Sequence, residues 1–267
     1  MRIGIAQTNP TFGQPHRNLD LACGLMEHHR ADLWVLPEFF ASGYQFVDAE
    51  EVARFAEPIP EGETTQELIR FARAQDCSVV AGLPEAAPTG IYNSAVLVCP
   101  LGHLTTYRKI HLFGAEKLFF VPGDRPFSVT HAAGARVGIM ICFDHLFPEA
   151  ARSLALLGAD VIAHPSNLVI PGLAQRTTVV RALENGVFVA TANRVGSETR
   201  GGKELRYTGE SQVVDPDGVT LLRLSANRVE AAVVEVDLAR ARVKALTSRN
   251  DKLADRRPEL YTLAPAA

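Results

Sequence analysis

Residues 137–149 read Val137-Gly138-Ile139-Met140-Ile141-Cys142-Phe143-Asp144-His145-Leu146-Phe147-Pro148-Glu149. The apolar run predicts a buried strand that carries a thiol to the C-terminal edge of a sheet. The Pro148-Glu149 pair predicts that a helix begins directly afterwards. Backbone N–H groups in such a turn can stabilise a thiolate or an oxyanion. A lone cysteine at a strand end is more often a small buried hydrophobe, so other segments must decide its role.

The composition is that of an ordinary globular protein and favours a cytoplasmic location. The 267 residues are 47% hydrophobic and 21% charged, and the net charge is −3. This weak charge gives no electrostatic reason to expect nucleic acid or a membrane surface as a partner. No apolar run approaches the roughly 18 residues of a membrane helix, and the first residues read as a strand rather than a signal peptide. The four cysteines lack the spacing of zinc or redox motifs and are too few for a disulfide scaffold.

Short β-rich runs alternate with amphipathic segments along almost the whole chain, which predicts an α/β fold. Several strands are apolar throughout, as expected for strands that are covered on both faces. Turn residues between other strands indicate hairpins, so we expect mixed sheets. We predict one domain over residues 1–248, with a C-terminal arm of that domain over 249–267. The predicted elements include a strand over 136–142 and helices over 15–29, 64–75, 148–157, 174–185 and 238–246.

Two further predicted strands end in a charged residue among apolar neighbours. Glu38 follows Leu33-Trp34-Val35-Leu36-Pro37, and Lys109 follows Tyr107-Arg108. Ligand sites of open α/β sheets lie at the carboxyl ends of strands, where Cys142 is also expected. Brought together, the carboxylate can accept the thiol proton, and the thiolate can attack a carbonyl or nitrile carbon. The ammonium and the Phe143 N–H can then stabilise the negative oxygen.

These segments resemble the three signature regions of the nitrilase superfamily of carbon–nitrogen hydrolases, in the expected order. The matching segments are Pro37-Glu38-Phe39, Tyr107-Arg108-Lys109-Ile110-His111-Leu112 and Cys142-Phe143-Asp144 with Phe147-Pro148-Glu149. The resemblance implies a four-layer α-β-β-α sandwich, pairing into a homodimer or larger homo-oligomer, and a Glu–Lys–Cys catalytic set. It also implies that Glu116 helps orient the substrate and the lysine. No Gly-x-Gly-x-x-Gly follows a strand and no metal-ligand motif is present, so we expect no cofactor and no metal.

The resemblance favours a small amide as the substrate. Phe143-Asp144 follows the cysteine, as in branches that cleave amides and carbamoyl compounds, whereas the nitrile-specific branch usually has Trp-Glu. A nitrilase acting on small aliphatic nitriles or dinitriles and an N-carbamoyl amine hydrolase remain alternatives. Further pocket residues are expected on the same edge of the sheets, each of which could equally be a turn or core residue: Tyr44, Phe113, Asn167 and Asn193.

Three rival interpretations remain open. A histidine could serve as the base, because His111, His145 and His164 lie near predicted strand ends. A metal hydrolase is less favoured, because no His-Glu-x-x-His or comparable ligand cluster is present. A catalytically silent interaction protein could be built on the same scaffold. The presence of all three catalytic residue types argues against this last interpretation.

Overall fold

A computed structural model describes residues 1–262, which form two six-stranded sheets. The first sheet contains, in spatial order, β14 (Glu230–Glu235), β1 (Arg2–Gln7), β2 (Leu33–Val35), β3 (Ser78–Ala87), β4 (Gly90–Cys99) and β5 (Gly102–Arg108). The second contains β13 (Thr220–Arg223), β12 (Gln212–Val214), β9 (Phe188–Ala192), β8 (Val161–Pro165), β7 (Ala135–Ile139) and β6 (Val129–Ala132). Two small hairpins pair β10 (Ser197–Arg200) with β11 (Lys203–Arg206) and β15 (Ala245–Thr247) with β16 (Asn250–Asp251).

Both large sheets have a parallel centre and antiparallel margins. Strands β1, β2 and β3 are parallel neighbours, as are β7, β8 and β9. Antiparallel partners then extend each sheet on both sides. The predicted mixed pairing is therefore confirmed. Because β3, β4 and β5 alternate in direction, β5 ends at the same edge as β2 and β3.

The described residues form α1 (Pro15–Glu27), α2 (Ala49–Phe55), α3 (Glu63–Gln75), α4 (Glu116–Phe119), α5 (Pro148–Leu156), α6 (Leu173–Asn185) and α7 (Ala239–Arg242), with 3-10 turns at Cys142–Leu146 and Pro258–Leu260. Four of these helices cover the outer faces of the two sheets. Apolar residues of α1 and α3 pack on the first sheet, and those of α5 and α6 pack on the second. This arrangement is the expected four-layer α-β-β-α sandwich.

The main core lies between the two sheets. Ile5 and Val80 of the first sheet pack there with Val137, Val161 and Phe188 of the second, and none of the five is more than 1% exposed. Full burial of each such side chain contributes roughly 1.5–3 kcal/mol. Strands that face this core on one side and helices on the other have no solvent-facing positions. This explains why their sequences are apolar without alternation.

Two predicted elements differ from the structure. The strand expected over 136–142 ends at Ile139, because the backbone of Cys142 adopts a φ of +41° that no strand can contain. The helix expected over 238–246 is only the single turn α7. Beyond that turn, the Lys244 ammonium donates to the backbone carbonyls of Asn185 and Gly186 at the end of α6, at 3.0 and 2.6 Å. This tertiary contact outweighs the local helical pattern.

The C-terminal segment continues into the hairpin of β15 and β16, which spans the expected boundary at residue 248. The division into a domain and an arm stays a prediction, and its last five residues, 263–267, lie outside the described residues. No helix within residues 1–262 has the length and apolar character needed to cross a membrane.

Candidate active site

The ends of three strands from both sheets meet at one site. Glu38 follows β2, Lys109 directly follows β5, and Cys142 follows β7. The Nζ of Lys109 lies 2.8 Å from Oε1 of Glu38, and both side chains are completely buried. An ammonium so deep in the protein is stable only beside carboxylates that neutralise it. The structure therefore brings together the acid and the amine that the sequence placed 71 positions apart.

Glu116 supplies a second carboxylate to the same ammonium. Its Oε1 lies 2.8 Å from Nζ of Lys109 and accepts a hydrogen bond from the hydroxyl of Tyr44 at 2.7 Å. The backbone N–H of Phe113 donates to the other oxygen, Oε2, at 3.2 Å. The short helix α4 thus holds Glu116 at a defined position, and Lys109 lies between two carboxylates.

Asn93 is a member of this cluster that the sequence analysis missed. Its Nδ2 donates to Glu38 Oε1 at 2.7 Å and contacts Glu116 Oε2 at 3.4 Å, so one amide links both acids. The side chain lies in β4 and is fully buried. A polar amide close to the apolar run that begins at Ala95 was the available signal, because buried polar groups require a partner.

Cys142 lies on a tight turn that several buried polar groups hold in place. The carboxylate of Asp144 accepts the Ile141 N–H at 2.8 Å and the Tyr107 hydroxyl at 2.8 Å. The Nε2 of His164 lies 2.9 Å from the carbonyl oxygen of Cys142. The N–H of Phe143 has no hydrogen-bond partner within residues 1–262, so it is free to bind an oxyanion.

The charges in this cluster set its acid–base behaviour. Burial raises the pKa of the Cys142 thiol well above its ordinary value, and the nearby Glu38 acts in the same direction. Burial also raises the pKa of Glu38, although Lys109 opposes the effect. Burial alone would lower the pKa of Lys109, but Glu116 and Glu38 outweigh it and hold that pKa above its ordinary value. The thiol of Cys142 is therefore neutral at pH 7, whereas the ammonium of Lys109 stays charged. The carboxyl group of Glu38 binds a proton more readily than an exposed glutamate does.

One oxygen in the cluster is unused. Oε2 of Glu38 is buried without a hydrogen-bond partner among the described residues, whereas Oε1 binds both Lys109 and Asn93. Burying a hydrogen-bond acceptor without a partner costs free energy. Such an unpaired acceptor is typical of a group that exchanges protons during a reaction. The geometry therefore leaves one free proton-accepting atom on Glu38, the carboxyl group that acts on the pKa of the Cys142 thiol.

A small cavity of about 30 Å³ lies over Cys142. Phe113, Phe143 and Asn167 line it, as do His145 and the 168–170 segment. The backbone N–H of Asn167 faces the thiol and opposes the effect of burial on the pKa of Cys142. The Nδ2 of Asn167 donates to the backbone carbonyl of Glu38 at 2.7 Å, so this residue joins the two halves of the site.

Tyr44 and Asn193 do not line the small cavity over Cys142. Tyr44 lines a neighbouring chamber rather than the small cavity. Asn193 lines neither space, because its side chain accepts the Leu168 N–H at 2.8 Å and donates to the Gly209 carbonyl at 2.7 Å. The contacts of Asn193 make it a support for the 168–170 segment rather than a residue that faces the cavity.

The three histidines near the site have other partners. Burial lowers the pKa of His145 to about 4 and that of His164 to about 3, so both are neutral at pH 7. Nδ1 of His145 hydrogen-bonds with Thr177, and the His111 ring stacks on Phe147 at 3.7 Å. Within residues 1–262 no three His, Cys, Asp or Glu side chains form a cluster that could hold a metal ion.

Comparisons with known proteins agree with this geometry. The family model for carbon-nitrogen hydrolase matches residues 2–245. A nitrilase of Pyrococcus abyssi is 46% identical over 98% of this chain and 99% of its own length, and an (R)-stereoselective amidase of Pseudomonas sp. is 41% identical over 85% and 80%. A mutant amidase from Nesterenkonia sp. AN1, with acrylamide added to its active-site cysteine, superposes with a TM-score of 0.79 and 30% identity, covering 97% of this chain and 98% of that one. The chain therefore belongs to the carbon–nitrogen hydrolase family.

Proposed function

We propose that the protein cleaves the C–N bond of a small amide through a covalent thioester on Cys142. The observation that carries the proposal is the buried cluster of Glu38, Lys109 and Glu116, whose three charges all act on the pKa of the Cys142 thiol. Glu38 would take the thiol proton as the sulfur attacks the carbonyl carbon. Lys109 and the Phe143 N–H would stabilise the oxygen of the tetrahedral state.

Collapse of the tetrahedral state releases the amine and leaves a thioester. Glu38 returns its proton to the departing nitrogen, so the C–N bond breaks as ammonia or a neutral amine forms. In the second half of the reaction Glu38 takes a proton from water, which attacks the thioester and frees a carboxylic acid and the thiol. Burial raises the pKa of both the thiol and Glu38, so each holds a proton more readily than it would in water, which supports this exchange.

The scheme assigns the base to Glu38 rather than to a histidine. We expect Glu38→Gln to abolish ammonia release and His145→Ala to retain much of it, because His145 has a lowered pKa and hydrogen-bonds to Thr177. The opposite result would favour the histidine mechanism. Circular dichroism of both variants checks that each has folded.

Primary amides are the substrate class that we propose first, with N-carbamoyl amines as the alternative. A specific observation supports nitriles as a second candidate, namely the 46% identity to a named nitrilase. A panel of short amides, ω-amides, N-carbamoyl amines and dinitriles, followed by ammonia release, separates these classes. A catalytically silent scaffold protein would release no ammonia and would form no mass adduct on Cys142 with any of them.

We further propose that the protein forms a homodimer in the cytoplasm. Helices α5 and α6 expose four large apolar side chains on the outer face of the second sheet, each 45–54% exposed: Leu156, Leu157, Val180 and Leu183. Exposed apolar side chains on two neighbouring helices favour pairing with a second copy. The four unpaired cysteines support a reducing compartment. Sedimentation of Leu157→Glu beside the unmodified protein tests the dimer, and we expect the variant to sediment as a monomer.

A further inference from the structure

A larger chamber adjoins the small cavity over Cys142. Its volume is about 470 Å³, compared with about 30 Å³ for the cavity. Most of its wall is aromatic or aliphatic, contributed by Phe46, Phe113, Phe119, Val169 and Leu205. The small cavity holds about one water molecule. The space for most of a substrate therefore lies in the chamber.

Phe113 and Val169 form the partition between the two spaces, because both residues line each of them. The Phe113 ring packs edge-on against Phe143, with 5.2 Å between the ring centres. A substrate whose carbonyl reaches Cys142 must extend past this partition if it is larger than the small cavity. The chamber and the small cavity are thus direct neighbours, separated only by these two side chains.

The chamber wall carries few charges that are available to a ligand. Arg200 is paired with Glu51 and lies 3.7 Å over the ring of Phe12. The Glu116 carboxylate is held by Lys109 and by the Tyr44 hydroxyl. Lys203, an exposed residue, remains at the mouth of the chamber. The interior therefore matches an apolar group better than a carboxylate.

The position of Glu38 determines which side of the amide occupies the chamber. The leaving nitrogen receives its proton from Glu38, which is completely buried and lines neither the cavity nor the chamber. Neither space reaches Glu38, so we expect the nitrogen to leave without a bulky substituent, as ammonia. The acyl side of the substrate is then the part that extends past Phe113 and Val169.

We propose that the chamber binds the acyl substituent of a primary amide and that this substituent is an apolar alkyl or arylalkyl group. The inference rests on the proposed amidase function and adds the substrate class. Each buried methylene contributes about fourfold to binding, and a buried phenyl group contributes about 30-fold. We therefore expect kcat/KM to rise from propanamide through butanamide and hexanamide, and to be about 30-fold higher for 3-phenylpropanamide than for propanamide.

The test combines this series with variants that change the chamber. Leu205→Trp fills the chamber from β11 and should lower the ratio of kcat/KM for 3-phenylpropanamide over propanamide about tenfold. Leu104→Trp is the matched control, because Leu104 is partly exposed on β5 and lines neither space. The control should leave both activities and their ratio unchanged.

Two outcomes would overturn the inference while leaving the amidase function intact. One is a flat series in which propanamide and 3-phenylpropanamide react equally well in all variants. The other is a preference for succinamate that disappears in Lys203→Met, which would show that the chamber recognises a carboxylate. Absence of ammonia release and of a Cys142 adduct with every amide would overturn the amidase function together with the inference.

Discussion

Replacement of Glu198 by Gln should destabilise the protein and slow the reaction, because Glu198 links a buried arginine to the loop that carries Tyr44. Its Oε1 lies 2.7 Å from NH1 of Arg194, and its Oε2 accepts the Gln45 N–H at 2.9 Å and the Tyr207 hydroxyl at 2.9 Å. The Tyr44 N–H points at the same carboxylate, at 3.3–3.4 Å. The Tyr44 hydroxyl in turn donates to Glu116 in the catalytic cluster.

The size of the stability loss follows from the burial of Arg194, which is completely inaccessible to solvent. Removing one partner of a buried ion pair costs about 3–5 kcal/mol, since the other charge is left unpaired. With an unfolding entropy of about 2.1 cal/mol/K per residue, this chain of 267 residues has roughly 0.6 kcal/mol/K near its melting temperature. Glu198→Gln should therefore lower Tm by about 5–9 °C.

Thermal unfolding monitored by circular dichroism measures this shift, and Glu51→Gln is the matched control. Glu51 pairs with Arg200, but both side chains are partly exposed, so its loss should cost at most about 1 kcal/mol, or roughly 2 °C. A Tm of Glu198→Gln no lower than that of Glu51→Gln would refute the reasoning.

A double variant separates the stability effect from the effect on catalysis. Arg194→Met with Glu198→Leu replaces the buried pair by apolar side chains and should recover most of the lost Tm. It should not recover kcat, because neither replacement can accept the Tyr44 and Gln45 N–H groups. Full recovery of both quantities would show that Glu198 has no role in positioning Tyr44.

Three other substitutions give separate tests. In Gly82→Ala the new Cβ would lie 2.6 Å from the Cα of Glu38, so kcat should fall about 100-fold, whereas Gly24→Ala, with open space around it, should be fully active. Lys109→Met removes the charged group that we propose as an oxyanion donor and should lower kcat by about 100–1000-fold in steady-state assays. Burial would raise the pKa of Asp160, but hydrogen bonds from two arginines hold it at about 2, below its ordinary 3.8. The ionised carboxylate therefore stabilises the fold above pH 4, and this stabilisation is lost as pH falls towards 2. The unmodified protein should have a higher Tm than Asp160→Asn above pH 4, and the difference between the two Tm values should disappear towards pH 2.

Much of the architecture followed from the sequence because its signals are local. Apolar runs without alternation predicted strands that are covered on both faces. In two such strands of the structure, Val137 and Val161 are at most 1% exposed. Pro148 correctly marked the start of α5. The polar ends of the apolar runs also indicated Glu38, Lys109 and Cys142, because a charge or thiol beside buried residues needs a partner.

Other features depended on contacts between distant segments, which a local pattern cannot contain. The end of α7 is set by the attachment of Lys244 to the end of α6, and the role of Asn93 depends on its distance to two acids from other elements. Asn193 resembled a cavity residue by its position after β9, but its hydrogen bonds to Leu168 and Gly209 are visible only in the folded chain.

By itself, the sequence determined the alternation of strands and helices and the kinds of reactive group, because both depend on the order and polarity of neighbouring residues. Only the tertiary structure decided the volume of the chamber and the position of the partition at Phe113. It also decided which oxygen of Glu38 stays free. These properties arise where side chains from both sheets meet, and their spacing depends on packing across the whole domain.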